Sequence, residues 1–219
     1  MNNNINYIPL GFQCTSSSIL KKLNLRKCSY PFDWIISNPK NILLLLELLF
    51  RYDNIENFVK NHFFVFDKRL SFIKPECFIE NINSNIGYNS IYKFIFPHDN
   101  YNEETINKYI RRFERLKKNI LSNECCKFLF INRIVLDNNN NISFTINNEI
   151  QLDNLYNHLY ELFQFIYNLN NNIEFIIINA VKDKNEYINY QNNFNIIEII
   201  PENNIDLKDN EIINNLDIF

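Results

Sequence analysis

Ile5-Asn6-Tyr7-Ile8-Pro9-Leu10-Gly11-Phe12-Gln13-Cys14-Thr15-Ser16-Ser17-Ser18-Ile19-Leu20-Lys21-Lys22-Leu23 decides the fold. Residues 5–10 form a short apolar run that predicts a buried strand, and Gly11 ends it. From Ser16 the period changes. Ile19, Leu20 and Leu23 fall at helical spacing and predict a helix over 16–23. Gly is scarce, two in 219 residues, so one placed directly after a strand marks a tight turn or a close backbone approach. The helix opens beside Cys14. A thiol at a helix N-terminus faces unpaired backbone N–H groups and the positive end of the macrodipole, which favour a thiolate.

Working outward, the next helix is predicted over 40–52, with Pro39 in its first turn, and a further helical piece over 54–61. Three aromatic runs, Phe63–Phe66, Glu76–Ile79 and Tyr92–Phe96, predict short strands. A long helix is expected from about residue 101 or 102 to Leu121. Strands follow at 127–132, 142–146, 174–178 and 196–200. A helix opened by Asp153 carries Leu155, Leu159, Leu162, Phe163 and Ile166 on one face. A weaker helix is predicted over 183–191. Near-continuous apolar strands alternating with helices imply parallel pairing. The expected fold is an α/β three-layer sandwich with a mostly parallel central sheet, built from about 5–10, 127–132, 173–178 and 195–200. It is expected to form a single domain over 1–219, with a small α+β insertion near 60–100.

Composition narrows the function classes. Hydrophobic residues at 46% and aromatics at 15% supply a core, so the abundance of Asn does not imply disorder. A net charge of −3 argues against nucleic acid or an anionic membrane as partner. The basic stretch Arg111–Lys118 reads as the solvated face of an amphipathic helix. Five Cys at 14, 28, 77, 125 and 126 are odd in number and irregular in spacing, which is no disulfide framework. His62, His98 and His158 are scattered, so no metal site and no cofactor are expected. The start of the chain lacks a signal-peptide pattern, and no apolar run is long enough to span a bilayer. The expectation is an intracellular, cytoplasmic protein, in host cytoplasm if viral, with no membrane partner. Its oligomeric state is not legible.

Cys14 is the candidate nucleophile. Backbone N–H groups at Cys14 and Thr15 would form its oxyanion hole, with Gly11, Gln13, Ser16, Trp34 and Arg133 as further substrate or oxyanion residues. His98, in Phe96-Pro97-His98-Asp99-Asn100, is the candidate general base, and Asp99 or Asp33 would orient it. His62 and His158 read as structural or solvated. Tyr30-Pro31-Phe32-Asp33-Trp34 is unusual for a surface loop. Burying Phe32 and Trp34 drags Asp33 into low dielectric, where a carboxylate needs a partner, and Arg133 after the strand 127–132 is the expected one. The alternative is a non-catalytic ligand-binding or host-interaction module using the same cleft.

These residues resemble a family of papain-like cysteine peptidases from bacteria and large DNA viruses. The likeness rests on Leu10-Gly11-Phe12-Gln13-Cys14, then Leu25-Arg26 with Tyr30-Pro31-Phe32-Asp33-Trp34. Phe96-Pro97-His98-Asp99, Lys108-Tyr109-Ile110-Arg111-Arg112 and Phe128–Arg133 follow in order. Asn100 departs from the family pattern, which has Phe there. The resemblance covers about 7–135. It implies a Cys–His thiol hydrolase, acting on a peptide, amide, thioester or other small-molecule substrate, and a papain-like α+β fold with an antiparallel sheet as the alternative architecture.

Overall fold

The computed structural model describes residues 5–11, 14–64, 87–89, 94–99, 102–122, 124–135, 141–146, 149–183, 193–203 and 206–216. Strand β1 (Asn6–Leu10) leads into α1 (Thr15–Lys22). Helices α2 (Pro39–Arg51) and α3 (Ile55–Phe58) follow, and α3 runs on into a π-helical turn at Val59–Phe63. Next come β2 (Gly87–Asn89), β3 (Phe94–Phe96) and α4 (Glu103–Leu121). Strands β4 (Cys126–Asn132), β5 (Asn141–Ile146) and β6 (Glu149–Asn154) precede α5 (Leu155–Leu169). The chain continues through β7 (Ile173–Ala180), β8 (Phe194–Ile199) and α6 (Asp209–Asn214).

β1, β4, β7 and β8 form one sheet in that spatial order, and all three pairings are parallel. The mixed α/β expectation therefore holds, and the antiparallel α+β alternative does not describe this sheet. Register explains the packing. Ile8, Phe128, Phe175 and Phe194 are aligned across the four strands. With Leu10, Phe130 and Ile177 they share one face and join buried residues of α2, α4 and α5. The alternate residues Leu129, Ile131, Ile176 and Ile178 cluster with residues of α1 and α6. Period-2 alternation thus divides a strand that reads as uniformly apolar between two separate cores.

Several expectations change. Phe63 closes the π-helical turn and Phe64 follows it, so the run at 63–66 does not begin a strand. Residues 65 and 66, the run at 76–79 and the helix expected beyond residue 183 lie outside the described residues. Asp153 does not open α5. It sits in β6, which pairs antiparallel with β5, and the helix starts at Leu155. The helix α6 was not expected.

Asn side chains cap three helices. Asn38, Asn54 and Asn102 accept from the backbone N–H of Asn41, Asn57 and Thr105 at 2.8, 2.9 and 2.8 Å. Each satisfies a donor that the helix itself leaves orphaned. The basic face of α4 is not merely solvated. Arg112 is buried, Arg115 donates to the Ser29 carbonyl, and Lys117 donates to the Leu49 and Tyr52 carbonyls at 3.3 and 2.8 Å. Those last two oxygens belong to the end of α2, where helix carbonyls lack intrahelical donors.

The segment 30–37 folds onto the end of β1. Phe32 is fully buried and meets Phe113 edge-on, with ring centroids 6.1 Å apart. Gly11 is what lets the segment approach. A Cβ there would lie 2.4 Å from the Phe32 carbonyl oxygen and 3.2 Å from that of Ile35. The Gly11 carbonyl accepts the Ser37 hydroxyl. The glycine serves close approach and not a left-handed turn, since its φ is not positive. Gly11→Ala should destabilise the protein by about 1–3 kcal/mol, the usual cost of overpacking, read as a lower urea midpoint with unchanged m-value.

Candidate active site

Cys14 stands at the N-cap of α1 with φ −65° and ψ −3°, and no side chain caps the helix. The first backbone bond of the helix runs from the Ser18 N–H to the Cys14 carbonyl at 3.0 Å. The N–H groups of the first turn, ahead of Ser18, have no acceptor within the helix. Ser16, expected near the oxyanion, is instead buried. Its hydroxyl donates to the Leu10 carbonyl at 3.2 Å and accepts from the Ile131 N–H at 3.1 Å, tying α1 to β1 and β4. Thr15 is also buried. Gln13 lies outside the described residues.

The thiol environment differs from the sequence expectation. Residue Cys14 is exposed, yet partial desolvation of its sulfur dominates and pushes its pKa above the ordinary cysteine value. Its own backbone N–H and the Arg133 guanidinium oppose that rise, and Asp209 adds to it. The free protein thus holds Cys14 mainly as the neutral thiol at neutral pH. Cys126, buried at the start of β4, is pushed up to about 12 by desolvation, with Cys125 and Glu124 adding to it.

Arg133 does not pair with Asp33. It meets Asp209 of α6 at 2.9 Å, and its Nε donates to the Leu207 carbonyl at 2.7 Å. The structure therefore brings Arg133 to Cys14 and not to the buried loop. Asp33 is fully buried and pairs with Arg26. The sequence reading quoted Arg26 in a motif but gave it no role. Its place seven residues earlier on the same loop was the available signal. Arg26 also donates to the Ser29 hydroxyl at 2.9 Å. Burial raises the Asp33 pKa despite Arg26, with Arg112 a further cation that opposes the rise.

The His98 side of the site hangs on the same loop. The backbone of Ile36 exchanges two hydrogen bonds with Ile95 of β3, at 2.9 and 3.0 Å. This places Pro97 and His98 directly beyond the loop that seats on Gly11. Trp34 is half-buried, not fully buried as expected, and its ring meets the His98 ring at 88° with centroids 6.2 Å apart. Arg26 lies over the other partner of that contact, 5.6 Å from the Trp34 centroid. Asp99 faces elsewhere. It accepts from Lys108 and from the Tyr109 hydroxyl on α4, and among the described residues it makes no hydrogen bond to His98. Burial, with the Asp99 charge adding to it, raises the Tyr109 pKa well above the ordinary tyrosine value. Asp209, Tyr109 and Arg112 were missed by sequence reasoning. Asp209 had no motif to announce it, and the other two were quoted in the motif Lys108–Arg112 without a role.

No group of His, Cys, Asp and Glu suited to a metal ion occurs among the described residues. No described helix is long and apolar enough to cross a membrane. A family model described as "Putative papain-like cysteine peptidase (DUF1796)" matches residues 5–185, and the chain belongs to that family. No curated protein matches the chain, and no solved structure matches it.

Two outcomes follow from this geometry. Asp33→Ala, which strands Arg26, should cost about 3–5 kcal/mol. Arg26→Met with Asp33→Leu should cost less than the sum of the two single changes, as a double-mutant cycle of urea midpoints will show. For Cys14, the pH profile of alkylation should have its midpoint above the ordinary thiol value. Removing the cation in Arg133→Gln should move it higher. Removing the anion in Asp209→Asn should move it lower, because loss of a nearby negative charge favours thiolate.

Proposed function

We propose that this member of the papain-like cysteine peptidase family is a cysteine-dependent hydrolase or acyl transferase acting on an amide, peptide or thioester bond, with Cys14 as nucleophile and His98 as base. One observation carries the reading. In a chain that caps three helices with Asn, the helix at the end of β1 begins with a Cys that caps nothing. No side chain among the described residues caps its first-turn donors, which suits them to an oxyanion. Support for the fold on which this site sits, a three-layer α/β sandwich, comes from the two cores on opposite faces of the sheet. The β2–β3 pair, separate from that sheet, supports reading 60–100 as an insertion.

The Cys14 sulfur attacks the substrate carbonyl carbon while its proton passes to His98. Backbone N–H groups at Cys14 and Thr15 hold the oxyanion. The C–N or C–S bond breaks as His98 returns the proton to the leaving group, and water, activated by His98, hydrolyses the Cys14 thioester. The raised thiol pKa makes a base necessary at neutral pH. The Arg133 charge offsets part of the cost of forming thiolate. Asp99 orients His98 indirectly by holding its turn against α4, and Asp33 by anchoring the loop whose Trp34 packs on the His98 ring.

p-Nitrophenyl acetate tests this. The expected result is a burst of one p-nitrophenol per chain with the acetyl group on Cys14 by mass spectrometry. Cys14→Ala should abolish the burst, and His98→Gln should slow it by about 100-fold or more. Acetylation spread over other residues, or a burst that survives Cys14→Ala, would leave the cleft to the binding-module alternative.

A further inference from the structure

We propose that Arg26 is a positioning residue that sets the ring plane of His98 through Trp34; the inference rests on the reading of His98 as the base. His98 is exposed, and an exposed imidazole on a turn samples several rotamers unless something holds it. Among the described residues no hydrogen bond to its ring exists, and the adjacent carboxylate, Asp99, is taken by Lys108 and Tyr109. The contact that remains is the edge-on packing with Trp34 at 6.2 Å.

Trp34 is itself only half-buried, so its own orientation needs a support. The Arg26 guanidinium over its ring, at 5.6 Å, is that support. Arg26 is not a free surface cation. Its side chain is 14% exposed, and it is committed to the fully buried Asp33 and to the Ser29 hydroxyl. A planar cation fixed by a buried carboxylate presents a fixed face to an aromatic ring. The line Asp33, Arg26, Trp34, His98 therefore runs from the interior to the exposed imidazole. Burial fixes the first member, and each contact passes that constraint to the next. The motif Leu25-Arg26 and Tyr30-Pro31-Phe32-Asp33-Trp34 gains one reason for its composition: it holds the base from behind where no carboxylate does so directly.

NMR of histidine-labelled protein tests the proposal, with His98 assigned by His98→Gln. Trp34 should shift the His98 ring protons by its ring current, and Trp34→Leu should return them toward free-histidine values. Arg26→Met leaves a buried carboxylate unpaired and can unfold the chain, so the decisive variant is Arg26→Met with Asp33→Asn, checked for folding by near-UV circular dichroism. In that folded variant the His98 shifts should collapse as in Trp34→Leu. The acetylation burst should slow by about tenfold or more, the scale of a misplaced catalytic group. Unchanged His98 shifts in the folded double variant would overturn the proposal. A His98→Gln protein that acetylates at the wild-type rate would instead overturn the catalytic reading, and the chemical shifts alone would then decide the positioning contact.

Discussion

The close approach of the 30–37 segment to Gly11 is the constraint on which the rest depends. Backbone oxygens of Phe32 and Ile35 occupy the space that any side chain at residue 11 would fill. That single absence of a Cβ seats the loop carrying Trp34 against the end of β1. On one side the chain enters α1 through Cys14. On the other it passes through Trp34 to Ile36, whose pairing with Ile95 leads to His98. The seat is reinforced from below by Phe32 in the aromatic cluster around Phe63 and Phe113. It is reinforced electrostatically by a buried ion pair whose net contribution to stability is small but whose rupture is expensive.

The main sheet was legible because burial on both faces leaves near-continuous Ile and Phe runs, such as Phe175–Ile178, that few other structures tolerate. The strand-to-helix change around Gly11 was legible because the period changes there and the glycine is rare. Asp153 misled for a definable reason. It is a good cap residue two positions before a helix, and local chemistry could not show that a hairpin continues through Asn154 first. Phe63 and Phe64 misled because aromatic density fits a strand as well as a buried helical turn. Helix α6 is short and polar, with only Ile212 fully buried, and offers little periodicity to detect.

Sequence offered candidates for the site as residue types more than as partners. Cys14, Arg133 and the loop around Asp33 were identifiable, yet pairing Asp33 with Arg133 was wrong because sequence carries no distance. Arg26 competes for the same carboxylate from only seven residues away, and a short loop closes at lower entropic cost than a contact across a hundred residues. The thiol expectation failed in the same way. A helix N-terminus argues for a lowered pKa, but desolvation of the sulfur, which depends on how the surroundings pack, outweighs it.

The strand order has a kinetic consequence. Because β1, β4, β7 and β8 lie side by side in the order in which they occur along the chain, the sheet extends at one edge only. Its β1–β4 pairing is the most demanding, since Asn6 must find Cys126 across a far longer stretch of chain than the β4–β7 and β7–β8 pairings close. During vectorial synthesis β1 therefore emerges long before its partner, with Ile8 and Leu10 uncovered. Once β4 has docked, β7 and β8 each add to a finished template across shorter crossovers. Nascent chains cut short before β4 would expose this apolar strand without a ladder to join, a situation that favours association with other chains over productive folding.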